Sequence, residues 1–118
     1  ALKDVVEQAE SPKIYPCLWF DKEAGEAAEF YCGLFKHGRL LEQLPLTTTF
    51  EIMGTKIMGL NGGPMYQKTT AVSYFVYCNG TEEIDRLYAA LSVNGQVLMP
   101  LDKYDWSPRY AFVQDRFG

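Results

Sequence analysis

The side chains best suited to act as nucleophile or base near neutral pH, the cysteines and the histidine, are few and scattered in this sequence. The three cysteines, Cys17, Cys32 and Cys78, are odd in number and fall inside expected strands or a helix. They read as reduced core thiols of a cytoplasmic protein. A catalytic thiol needs a base beside it, and the single histidine, His37, falls at an expected helix end. The stretch LDKYDWSPRY gathers Asp102, Lys103, Tyr104, Asp105 and Trp106. A carboxylate there would be a general base if burial raised its pKa; otherwise these are solvated loop charges. Asn61-Gly62-Gly63-Pro64 is glycine-rich. Its proline and the lack of a following helix make it a loop, not a nucleotide-binding turn.

These groups must be positioned by the elements around them, and the clearest of those runs from Lys13 to Gly38. Ile14, Tyr15, Cys17, Leu18, Trp19 and Phe20 form a nearly unbroken apolar run, as a strand covered on both faces would. Asp21 stands where an N-cap is expected. Ala24, Ala27, Ala28, Tyr31, Leu34 and Phe35 then recur at helical steps, with Glu23, Glu26 and Glu29 opposite. Gly38 is the expected stop, with Lys36 and His37 set against the helix dipole. If the strand alternates, Tyr15, Cys17 and Trp19 share one face, and Leu18 and Phe20 lie beneath the helix.

Further strands are expected over Arg39–Leu46, Thr47–Met53 and Lys56–Leu60, the last two joined by a hairpin turn at Gly54-Thr55. After the loop at 61–64 the order repeats, offset by roughly 60 residues. Ala71–Cys78 (AVSYFVYC) reads as a strand, and Asn79 or Thr81 as an N-cap. Ile84, Leu87, Tyr88 and Leu91 form a helix stripe that ends at Asn94-Gly95. Strands follow at Gln96–Leu101 and Tyr110–Gln114. Residues 1–12 form an extension with a hint of helix at Leu2, Val5, Val6 and Ala9. The expected architecture is α+β, with helices on one side of a curved, mostly antiparallel sheet.

Composition narrows the function classes. The 118 residues are 47% apolar and 14% aromatic, which suits one domain with a modest core. A net charge of −4 without a Lys/Arg cluster argues against nucleic acid. No apolar run reaches the length of a membrane span, and no signal peptide is visible.

The segments KIYPCLWFD, EAAEFYCGLF, GTKIMGLNGGP, SYFVYCNGTEEIDRLYAAL and LMPLDKYDWSPRYAFVQDRFG together resemble the PhnB-like family. That family is also labelled "3-demethylubiquinone-9 3-methyltransferase domain", a branch of the vicinal oxygen chelate (glyoxalase/bleomycin-resistance) superfamily. The resemblance spans Lys13 to Gly118. It implies two βαβββ modules, 13–64 and 65–118, forming a cupped sheet with helices outside, and a homodimer with a pocket in each cup. In that family a short strand follows DRFG, and the 41–49 connection is longer. The second module's last strand is therefore expected to be absent from the chain as given. Metal-binding members of the superfamily use His, Gln or Glu on the first and fourth strands. The matching positions here fall near Tyr15, in 57–61, and near Ser73 or Tyr74, and there is no Asp, Glu or His between Ile52 and Thr81. Neither a metal nor another cofactor is expected.

Tyr15 and Trp19 are expected to point into the cup, facing Ser73 or Tyr74, with Asp102 and Trp106 nearby. Aromatic walls with a few hydroxyls suit a small, partly aromatic ligand. The leading expectation is a metal-free binding protein of the cytoplasm. The alternatives are an enzyme of the same superfamily, the methyltransferase of the label included, and a structural homodimer whose cup is filled by its own rings.

Overall fold

The computed structural model describes residues 14–118, so the helical turn expected near the N-terminus lies outside it. Its elements are β1 (Cys17–Phe20), α1 (Ala24–Leu34), β2 (Arg39–Gln43), β3 (Thr47–Ile52), β4 (Thr55–Asn61), α2 (Thr81–Ser92), β5 (Gln96–Tyr104) and β6 (Ser107–Gln114). The first four strands form one sheet in the order β1-β4-β3-β2, parallel between β1 and β4 and antiparallel elsewhere. β5 and β6 form an antiparallel hairpin. The α+β class is as expected.

The alternation read in β1 places its residues correctly. Phe20 is buried with Ala24 and Ala27 of α1, and Leu18 packs against that cluster. Ala28, Phe50 of β3 and Ile57 of β4 continue the core, sealed by Tyr31. Small alanines let the helix lie close to the sheet, so the large core volume comes from Phe20 and Phe50. The β3–β4 hairpin closes through Met53 and Gly54, one residue earlier than expected. Both have positive φ (49° and 84°), the conformation a two-residue hairpin turn requires.

The helix ends differ from expectation. Asp21 is not the N-cap of α1; Glu23 occupies that position without a side-chain bond. The Ala24 N–H donates instead to Asn61 Oδ1 (2.9 Å), at the end of β4, and Asn61 Nδ2 donates to the Pro45 carbonyl (3.2 Å). A tertiary side chain thus does the work of a local cap. The N-cap of α2 is neither Asn79 nor Thr81 but Gly80, with φ 97° and no side-chain bond. α1 stops at Leu34; its carbonyl accepts from Arg86 Nη1 of α2 (3.0 Å), and Lys36 pairs with Glu83 (3.3 Å), so this end is bound to α2.

Two larger corrections concern the second half. Residues 71–78 form no strand, despite their β-branched and aromatic content. Strand propensity is a preference for a pleated, partnered surface, and none of the described strands pairs with this segment. Conversely, 102–104 and 107–109 belong to the β5–β6 hairpin, and the turn shrinks to Asp105 and Trp106. Arg109 ties this hairpin to α2 through Asp85 (Nε to Oδ1, 2.9 Å).

Candidate functional site

A cleft forms where the end of β1 meets the loop that follows β4. The Gly62 N–H donates to the Phe20 carbonyl (2.9 Å) and the Gly63 N–H to that of Asp21 (3.1 Å), folding the loop back over the strand. The Trp19 indole closes the arrangement by donating Nε1–H to the Gly63 carbonyl (2.8 Å). Tyr66 meets the indole edge-on, with ring centroids 5.0 Å apart. Lys68 runs back underneath. Its Nζ donates to the Trp19 carbonyl (2.7 Å) and lies 3.9 Å from the Phe20 ring centroid. The enclosed space is about 300 Å³, with Trp19, Tyr66, Phe117, Lys68, Gln67 and Gln114 among its walls. Burial pulls the Lys68 pKa below the ordinary lysine range, against the opposing pull of Glu23 and Asp115.

Beside the cleft, Tyr31 of α1 donates its hydroxyl to Asp115 Oδ2 (2.5 Å), while Asp115 Oδ1 accepts the Phe117 N–H (2.9 Å). This bond fastens the segment after β6, which supplies Phe117 to the cleft, onto the first helix. Burial, then the Asp115 carboxylate, raises the Tyr31 pKa far above the usual tyrosine value. The folded state therefore keeps this proton at alkaline pH while an unfolded chain releases it near pH 10. The associated stability is fully present below about pH 10 and is lost as pH rises further. Tyr31→Phe is expected to cost about 1–2 kcal/mol at neutral pH and to flatten the alkaline decline. Urea midpoints at pH 8 and 11 test this, and an equal fall in both proteins would refute it.

The residues expected in one pocket separate. Trp19 alone is in the cleft. Tyr15 is half-buried beneath Lys56, whose Nζ is 4.5 Å from the ring centroid. Ser73 is exposed. Tyr74 is about half exposed, and burial of the remainder, then the nearby Cys17, raises its pKa. Asp102 is exposed and accepts the Lys103 N–H (2.7 Å). Trp106 is exposed on the hairpin turn, stacked on Tyr104 and edge-on to Tyr110. The cause is the longer β5–β6 hairpin, which carries Asp102 and Trp106 into strand and turn positions of its own. Nor are the cysteines a set of core thiols: Cys17 is exposed on the edge strand, and Cys32 and Cys78 are half-buried. Burial raises the pKa of both half-buried thiols, which disfavours thiolate chemistry.

Tyr66 and Lys68 were missed in the sequence. The available signal was that Lys68 is the one charged residue between Lys56 and Glu82. A charge isolated in an otherwise uncharged stretch invites the question of what it faces. A wider hollow of about 900 Å³ crosses the start of α1, near Glu26, Gln43 and Arg116. Its Asn61 is already engaged by Ala24 and Pro45, and Arg116 is 3.9 Å from Glu26, so it offers a solvated wall and few free groups.

The model of the 3-demethylubiquinone-9 3-methyltransferase family matches residues 12–118. The chain belongs to that family. Among solved structures it is similar to the PhnB protein of Bacillus cereus, with 28% identity, a TM-score of 0.84, and 91% of this chain and 94% of that one covered. Protein PA1353 of Pseudomonas aeruginosa shares the fold at 23% identity and a TM-score of 0.72, with 92% of each chain covered. Protein SA1046 of Staphylococcus aureus shares it at 13% identity and 0.62, covering 95% of this chain and 90% of that one. The comparison with curated proteins finds no match. No helix among the described residues is long and apolar enough to cross a membrane.

Two groups, the metal implied by the sequence resemblance and the methyl donor named in the family label, do not fit this PhnB-like chain. A divalent metal needs clustered donors, and no three His, Cys, Asp or Glu residues come together as a site among the described residues. The position that would offer the first ligand, Tyr15, already lies under an ammonium group. A methyl-donor nucleotide held by a glycine-rich turn needs free backbone N–H groups and a helix behind them. Here the Gly62 and Gly63 N–H groups are spent on Phe20 and Asp21, and no helix follows the loop until Thr81.

Proposed function

We propose that this PhnB-like chain binds a small, partly aromatic molecule in the Trp19 cleft, without a metal. The observation that carries the reading is the cleft itself: two aromatic walls set edge to face, a third ring at Phe117, and a few polar groups that could orient a ligand. Its size lies at the small end of ligand sites, roughly 300–1,000 Å³, so the ligand is the size of a substituted ring. The exposed rings of Phe75, Tyr77 and Trp106 support a homodimer, since exposed aromatic surface of this kind is usually covered. Three free thiols support a reducing, cytoplasmic setting.

Trp19 supplies the test. In a Trp106→Phe background the indole emission reports the cleft alone. Phenol-sized aromatics are expected to quench it saturably, and no saturable change up to millimolar concentration would overturn the reading. Native mass spectrometry on the same preparation is expected to show a dimer, and metal analysis no stoichiometric metal; a transition metal at one per chain would refute the metal-free assignment.

A further inference from the structure

We propose that Lys68 captures a small, uncharged aldehyde or ketone as an imine inside the Trp19 cleft. This rests on the reading of that cleft as the ligand site and names the class of ligand it takes. Most surface lysines extend into water as hydrated ammonium groups. Lys68 instead turns inward, with one N–H held by the Trp19 carbonyl at 2.7 Å and the nitrogen placed over the Phe20 ring. That single hydrogen bond and the ring face fix the nitrogen beside the cleft. When the amine is neutral, its lone pair remains free to attack. Burial lowers the cost of reaching this state by weakening the hold on the proton, against Glu23 and Asp115, which both act to retain it.

The same carboxylates decide the ligand's charge. Asp21 and Glu23 line the cleft and Glu23 and Asp115 act on Lys68, so even with Arg116 behind Phe117 the acids outnumber the cations and an anionic ligand is disfavoured. The aromatic walls select a flat, uncharged body, and the amine selects the carbonyl. The lysine lone pair forms a bond to the carbonyl carbon while the C=O π pair moves to oxygen. That oxygen takes up a proton as nitrogen loses one, through water or the Glu23 carboxylate. The remaining N–H proton then passes to the resulting hydroxyl, which leaves as water as C=N forms. Amine plus carbonyl gives imine plus water, with no oxidant or reductant.

The experiment uses the full chain with benzaldehyde and sodium cyanoborohydride at pH 7, followed by peptide mapping by mass spectrometry. Lys22, Lys36, Lys56 and Lys103 of the same molecules are the internal standards, so no variant has to fold. Lys68 is expected to be benzylated about tenfold faster than any of the four, because the cleft holds the aldehyde beside its nitrogen and the lowered pKa acts in the same direction. Equal or slower labelling of Lys68 overturns the proposal. Benzyl alcohol, which lacks the carbonyl, separates the two readings. Saturable quenching by benzyl alcohol in the Trp106→Phe background, without preferential labelling of Lys68 in the unmodified chain, rejects imine capture and leaves the cleft as a binding site. Neither quenching nor preference rejects both.

Discussion

Phe50→Ala is expected to lower stability by about 3–5 kcal/mol and the thermal midpoint by roughly 12–25 °C. Phe50 has no exposed surface, lies against Ala28 and Ile57, and is stacked on Tyr31 with centroids 6.2 Å apart. Its neighbours cannot collapse into the space it would leave. Ala28 is already minimal, Ile57 is fixed in β4, and Tyr31 is held by its hydroxyl on Asp115. The cost should therefore fall at the cavity-forming end of the range. Against a domain stability of about 5–15 kcal/mol, the variant is on the edge of unfolding. Urea denaturation checks this, and a loss under 1.5 kcal/mol would show that the core repacks.

Gly62→Ala is expected to strike the site and the fold together. A methyl group at this position would fall inside the Trp19 ring system. The indole cannot swing aside freely, since it is anchored to the Gly63 carbonyl and wedged against Tyr66. Either the ring leaves or the loop shifts, and overpacking of this kind costs about 1–3 kcal/mol. Both routes break the cleft, so Trp19 emission should move to the red and binding of small aromatics should weaken at least tenfold. An unchanged emission maximum would show that the loop absorbs the methyl without moving the wall.

The first half was legible because its periodicities agree with its packing. The alternation in β1 and the alanine stripe in α1 each point one face inward, and those faces meet at Phe20 and Phe50. The caps were not legible, because the group that bonds Ala24 is Asn61, 37 residues away, and local capping rules see only neighbours. The segment at 71–78 misled because propensity reports what a strand would prefer, not whether a partner is alongside. Grouping Tyr15, Trp19, Ser73, Tyr74, Asp102 and Trp106 required both halves to present matching strands to one cup. Without a strand at 71–78, that shared wall is absent from the described structure. Tyr66 and Lys68 reach the site from an irregular loop, where no period announces which way a side chain turns.

The pairing of β1 has a kinetic consequence. β4 meets β3 across a two-residue turn, but it meets β1 only after a connection of about 40 residues has closed. Short loops close early and long ones late, so the β3–β4 hairpin should form first and β1 should dock near the end of folding. Trp19 is on β1, and Lys68 is anchored to the Trp19 carbonyl, so the cleft is completed only by that last event. A molecule lodged there stabilises contacts missing from the folding transition state. It should therefore leave the refolding rate unchanged and slow unfolding, lengthening the life of the native state. Stopped-flow folding and unfolding rates measured with and without ligand would show this as a shift in the unfolding arm alone.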